Sequence, residues 1–217
     1  MGQVRARQKV KLITGFIFKD EGVFNKAEGI LKKRFGKIDF QSQTLPFTHT
    51  DYYEKEFGKG LKRVFVSFEK LILHENLPQI KILTNKIEHK LAKGSCRLSG
   101  APQTLVRGSL LCQEIPRIRH PRAKAMGIST RRINIDPGYL DLAKLILAST
   151  KDFRHRIYLN KGIYADLTLF YQNKTFQTWE WTFPDYKTAE YIAIFNQIRE
   201  IYTKQIKNVS HIPGSAP

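Results

Sequence analysis

Acids, cysteines and long apolar runs are what this 217-residue sequence has least of. Two cysteines cannot build a disulfide framework, so a reducing cytoplasm is the expected compartment. No apolar run approaches the ~20 residues that a bilayer-spanning helix needs, and no membrane partner is expected. Residues 1–11 are basic but lack the apolar core of a secretory leader. Only 19 Asp and Glu oppose 37 Lys and Arg, a net charge of +18 that favours polyanionic partners. A hydrophobic fraction of 41%, with 12% aromatic residues, argues against disorder along most of the chain. The length suits one domain with a sizeable core.

The readable catalytic and cofactor motifs are missing as well. Gly58-Lys59-Gly60-Leu61-Lys62 has neither the spacing nor the hydroxyl of a phosphate-binding P-loop, and no G-x-G-x-x-G follows a strand. Cys96, Cys112 and His120 do not have zinc-finger spacing. There is no H-E-x-x-H or G-x-S-x-G. No cofactor or metal follows from any motif, and the common motif-bearing enzyme classes are weakened.

The positive charge is uneven. Residues 96–132 hold eight Lys and Arg against the single acid Glu114, a net +7 in 37 residues. Gly and Pro punctuate this stretch and its apolar residues keep no period, so 96–130 reads as an Arg-rich insertion or irregular loop. A loop that long needs a special cause. An evolved insertion and a translated shifted frame are both open. From 207 a polar tail is expected.

Elsewhere strands and helices alternate. Val10, Leu12, Thr14, Phe16 and Phe18 share one side of a strand with Ile13 and Ile17 on the other, a pattern for burial on both faces. Val23 to Phe35 has helical spacing and stops at Gly36 behind Lys32, Lys33 and Arg34. Strands are expected over 38–45 and 62–68, and a helix after Asn76 with Pro78 in its first turn. A short strand at 132–135 should turn at Asp136-Pro137-Gly138 into a helix carrying Leu142, Ala143, Ile146 and Leu147. Strands at 157–159, 163–171 and 175–181 and a final amphipathic helix through Tyr191, Phe195, Ile198 and Tyr202 complete the pattern. The fold class is α+β: a single-domain sandwich over 9–206, mixed or antiparallel in its sheet, with a first half that could be ferredoxin-like.

Four constellations could carry chemistry. Thr48 to Glu56 crowds polar and aromatic groups at a strand end, with Asp51 a candidate general base or metal-binding carboxylate beside His49 and Tyr52. The plain alternative is a helix cap. Lys151, Arg154 and Arg156 with Lys161 offer a phosphate grip around His155, whose cationic neighbours favour its neutral form. If the chain is extended from Phe153, Arg154 and Arg156 share a face opposite His155; the alternative is a solvated strand edge. Asp136 ends a strand at a turn, with an open catalytic role. Trp179, Trp181 and Phe183 alternate and should cover a core, base stacking being the other option. Tyr52, Tyr139 and Tyr164 are candidates for lining a pocket.

Several strings resemble a known family. Tyr52-Tyr53-Glu54-Lys55-Glu56, Gly60-Leu61-Lys62-Arg63 and Ile135-Asp136-Pro137-Gly138-Tyr139 are similar to those of domain-of-unknown-function family 4416 from bacteria and archaea. So are 150–159, Lys161-Gly162-Ile163-Tyr164-Ala165 and Trp181-Thr182-Phe183-Pro184-Asp185-Tyr186. The resemblance implies a prokaryotic cytoplasmic protein in which 9–206 is one unit, and it brings no activity or site residue with it. In the family a short turn is expected where 96–130 stands here. Two functional expectations follow from the residues themselves. One is binding, with turnover as an option, of a phosphorylated ligand such as a nucleotide or RNA, using Asp51, Asp136 and His155 with the cations. The other is a non-enzymatic basic module docking on nucleic acid or an acidic protein.

Overall fold

Strand β1 (Lys11–Phe18) is buried along all eight residues, as its two-sided apolar pattern predicts. The computed structural model describes residues 8–48, 57–92 and 131–209. The expected loop at 96–130, the cluster of His49, Asp51 and Tyr52, and residues 210–217 lie outside the described residues. Around β1 lie β2 (Ile38–Gln41), β3 (Leu45–Pro46), β4 (Lys62–Phe68), β5 (Ile133–Leu140), β6 (Lys144–Ser149), β7 (Arg156–Asn160), β8 (Ile163–Gln172) and β9 (Thr175–Thr178). They form one antiparallel sheet in the order β2-β4-β1-β5-β6-β8-β7, with β3 beside β2 on β4 and β9 beside β7 on β8.

Helices cover both faces. Helix α1 (Glu21–Phe35) starts where Asp20 Oδ1 accepts from the Gly22 N–H and stops at Gly36, whose φ of 95° suits only glycine. With α2 (Leu77–Leu91) it buries Leu12, Phe16, Phe18, Val66 and Ile135. On the other face α3 (Ala189–Val209) presses Tyr191, Phe195, Ile198 and Tyr202 onto Ile13, Phe65, Leu145 and Leu169. The succession β1-α1-β2, then β4-α2-β5, with neighbours β5-β1-β4-β2, interleaves two split β-α-β units. That is the ferredoxin-like arrangement, extended by β6–β9 and closed by α3. No helix among the described residues is long and apolar enough to cross a membrane.

One expectation is corrected. Residues 133–149 are not strand, turn and helix but the antiparallel pair β5 and β6. Leu145 and Leu147 face α3 while Ile146 and Ala148 face α2, so a strand buried on both sides imitates helical spacing. Pro137 fits inside β5 for a local reason. The Ile135 N–H bonds Glu88 on the side away from β1, so Pro137, two residues on, also turns its nitrogen outward. There β5 is not paired with β6, whose pairing covers only residues 138–140. A Cβ on Gly138 would stand 2.3 Å from the Ile146 carbonyl oxygen, and this lack of a side chain lets β6 close on β5. The strand expected over 38–45 is interrupted between β2 and β3, that over 175–181 ends at Thr178, and α3 runs through Val209.

Candidate functional site

Because β6 pairs only with residues 138–140, the outer edge of β5 from Ile133 to Pro137 lacks a partner strand. Side chains of α2 take its place. Glu88 Oε1 accepts from the Ile135 N–H at 2.6 Å and Lys81 Nζ donates to the Ile135 carbonyl at 3.1 Å. Lys81, Thr84 and Glu88 form a polar stripe at helical spacing, all three buried. Lys81 also reaches Asp136 Oδ1 at 3.4 Å, and Asn134 Nδ2 donates to Asp136 Oδ2. Arg131 meets Glu88 at 3.5 Å and Asn134 at 3.2 Å. Burial pushes the Glu88 carboxyl up to about 7, against the pull of Lys81 and Arg131.

On the α3 face Arg63 is 2% exposed and lies across Gly15 toward β5. Its Nη2 donates to the Tyr186 hydroxyl at 2.6 Å, with Asp185 at 3.9 Å, and its Nη1 is 3.7 Å from Asp136. The rings of Phe65 and Tyr186 flank the guanidinium. Burial by itself would favour deprotonation, but Tyr186, Asp185, Tyr191 and Asp136 more than offset it and hold the charge. Asp136 is thus the hub of a three-element ion network, with 25% of its side chain exposed. Each of its contacts serves the unfinished edge of β5 or the buried arginine.

A second polar cluster lies at the far end of the sheet. The β6–β8 register slips between Leu145 and Ile146 and leaves Thr168 without a β6 partner. Next to this irregularity the buried Asp166 carboxylate receives Arg156 Nε at 2.7 Å and faces His155 Nε2 at 3.5 Å. The backbone from Phe153 is not extended. The Arg156 N–H closes a turn on the Phe153 carbonyl at 2.8 Å, so neighbouring His155 and Arg156 address the same carboxylate oxygen instead of opposite faces. The His155 ring stacks on Trp181 (5.4 Å, 10°), Trp181 on Trp179 (5.1 Å, 6°), and Trp179 tilts against Phe170. The segment after β9 is clamped to β8: Trp181 Nε1 donates to the Leu167 carbonyl at 3.0 Å and Thr182 Oγ1 to that of Thr168 at 2.7 Å.

The tryptophans are therefore half-buried in a ladder at the sheet end, not inner-face residues beneath α3. Arg154, His155, Arg156, Ile157, Glu180 and Trp181 line an open cleft of about 520 Å³, within the range of small-ligand sites. The His155 side chain is 8% exposed, and neither of its ring nitrogens has a hydrogen-bond partner.

The residues singled out in the sequence are divided among separate places. His155, Arg154 and Arg156 share the cleft, and the Lys151 carbonyl accepts from Arg156 Nη1 at 3.1 Å. Lys161 sits at the tip of the β7–β8 hairpin, five residues past Arg156, about 16 Å along a strand. Tyr164 packs edge-on against Tyr158 across that hairpin. Tyr139 lies on the α2 side, edge-on to His74, and burial, followed by Asp141, raises its hydroxyl to about 12. Asp136 has its partners in the β5 network. Asp51 and Tyr52 lie outside the described residues. Sequence reasoning missed Asp166, Glu180, Arg63, Lys81 and Glu88. Asp166 carried a signal, an acid inside an otherwise buried strand, and so did the 81-84-88 stripe.

The strings 60–63, 135–139, 150–159 and 181–186 all converge on these two clusters, and the comparison with known families agrees over nearly the whole chain. The profile of the domain of unknown function DUF4416 matches residues 8–99 and 101–202. The chain belongs to the DUF4416 family. No curated protein and no solved structure matches it. For this DUF4416 protein the clusters themselves are the guide to function. Among the described residues no group of three or more His, Cys, Asp or Glu is placed to hold a metal ion. The cleft at His155 combines an exposed Arg154, a largely buried Arg156 held by Asp166, an aromatic wall and a buried imidazole that lacks hydrogen-bond partners.

Proposed function

We propose that the protein binds a phosphorylated, ring-bearing ligand, a nucleotide, in the cleft between the start of β7 and Trp181. The observation that carries this reading is that Arg154 and Arg156 border the same cleft as the His155–Trp181 stack. Arg156 is oriented by Asp166 through Nε, and Arg154 is exposed at the rim. Guanidinium groups suit phosphate oxygens because they donate in a planar fork. The edges of the stacked His155 and Trp181 rings offer an apolar wall against which a base can pack, and the Glu180 carboxylate suits the N–H or hydroxyl donors of a nucleoside. The His155 ring nitrogens have no hydrogen bond within the chain, Asp166 standing at ion-pair distance, so a ligand oxygen would add one. If the ligand is turned over, His155 backed by Asp166 is the group placed to move a proton.

Both tryptophans of the chain belong to the ladder, so tryptophan emission, excited selectively over the tyrosines, reports on this site alone. Titration with nucleoside di- and triphosphates, with and without Mg²⁺, should quench or shift the emission and raise the melting temperature. Arg154→Ala should weaken binding about ten-fold or more, the scale of a lost charge-assisted hydrogen bond. Absence of a fluorescence response and of a thermal shift at millimolar nucleotide overturns the reading. Salt-steep, sequence-indifferent nucleic-acid binding in that situation would favour a basic docking module.

A further inference from the structure

The large hydrophobic side chains that remain exposed among the described residues are Phe153, Ile157, Tyr158, Leu159 and Phe183. Three of the five are consecutive in β7, Phe153 precedes it, and Phe183 lies within 6.0 Å of the Arg156 guanidinium. β7 is also the last strand in the sheet order, and no described strand pairs with its outer side. Edge strands are normally blunted by charge, proline or bulges. The opposite edge follows that rule, with the four-residue β2 and with β3 ending in Pro46. β7 has a register irregularity between Tyr158 and Asn160, but ahead of it the strand presents Ile157 at 70% and Tyr158 at 58% exposure. An apolar patch on an unpaired edge marks an interaction surface.

We infer that β7 accepts an extended, acidic polypeptide segment of a partner protein by strand addition. Main-chain hydrogen bonds to an open edge supply affinity, and alternate side chains supply specificity. The charge at the edge selects the occupant. Lys151, Arg154 and Arg156 stand before or at the start of β7 and Lys161 just past its end, against Asp152, Glu180 and the Asp166 that already holds Arg156, so the edge stays net positive by one. A second copy of this chain is disfavoured. Two-fold antiparallel pairing centred on Tyr158 sets Lys161 of one copy opposite His155 of the other, between Arg154 and Arg156. The Arg-rich stretch 96–130 of the chain itself also has the wrong sign. A segment alternating apolar and acidic residues satisfies the edge, the apolar patch and the cations together.

The probe is a fluorescein-labelled ten-residue peptide of alternating Val and Asp, titrated against the full chain by anisotropy, with ten-residue poly-Asp as control. Saturable binding of the alternating peptide, well above that of poly-Asp, is expected. Ile157→Lys should weaken it about ten-fold, the scale of one lost apolar side-chain contact. This variant adds a cation, so plain electrostatic attraction predicts the opposite sign. Ile157 is largely exposed, and an unchanged melting temperature will show that the variant folds; Tyr158→Lys serves as an independent second variant. Absence of saturable binding overturns the inference. Equal binding of poly-Asp with no loss in Ile157→Lys overturns it in favour of non-specific charge. A dimer in sedimentation equilibrium that Ile157→Lys dissociates overturns it in favour of a second copy.

Discussion

Arg63 on β4 and Asp136 on β5 are two strands apart and meet at 3.7 Å across Gly15 of β1. The meeting depends on the missing side chain between them, because a Cβ on Gly15 would lie 3.3 Å from Arg63 Cζ and 3.0 Å from the Phe65 ring. A buried cation and a half-sheltered carboxylate thereby tie the two halves of the sheet together.

Gly15→Ala should lower stability by about 1–3 kcal/mol, the usual cost of overpacking. Arg63→Met should cost about 3 kcal/mol or more, because Asp136 and Asp185 lose their shared buried partner. Urea unfolding midpoints check both. An unchanged midpoint in Arg63→Met would show that the network contributes nothing to stability.

Stability should fall as pH rises through the range set by Glu88. Its carboxyl moves from the ordinary 4.5 to about 7 in the folded chain, chiefly by burial, so the folded state holds the proton more tightly than the unfolded one. The stabilising contribution of the protonated group is complete below about pH 4.5 and is lost by about pH 7. Glu88→Gln keeps an acceptor for the Ile135 N–H and should flatten the decline in melting temperature between pH 5 and 7. An identical pH profile in the variant contradicts this.

Asp166→Asn should unsettle the cleft as a unit. It removes the charge that holds Arg156 at 2.7 Å and faces His155 at 3.5 Å. A loss of about 2–4 kcal/mol is expected for half of a largely buried pair, with a shift in tryptophan emission as the His155–Trp181 stack loosens. Emission identical to wild type would separate Asp166 from the ladder.

Lys161 occupies the left-handed region at φ 53°, before Gly162 at 74°, in a two-residue hairpin turn. Lys161→Asn should raise stability by a few tenths of a kcal/mol, because asparagine tolerates that conformation better. It should leave nucleotide affinity unchanged, since Lys161 is remote from Arg156. A loss of affinity equal to that of Arg154→Ala would bring Lys161 back into the site.

Local pattern was enough for elements whose signals are local. The two-sided apolar run of β1, the Gly36 stop of α1 and the Val- and Phe-rich β4 follow from steric and solvation preferences of nearby residues. The 142–147 segment was misread because a strand buried on both faces removes the alternation that distinguishes strand from helix. Of the candidate site, His155 and its arginines were legible as a charge cluster.

Their pairing with Asp166 was not legible, because it depends on the β7–β8 register, which sets Arg156 opposite Asp166, and on a turn closed at Phe153. The sequence by itself determined the α+β class, the ends of α1 and the family membership, all carried by neighbours in the chain. Only the tertiary structure decided that Asp136 belongs to a network finishing the edge of β5, that Lys161 stands away from Arg156, and that β7 leaves its apolar edge open. Those three outcomes depend on which strands end up side by side, a long-range choice that short-range periodicity does not encode.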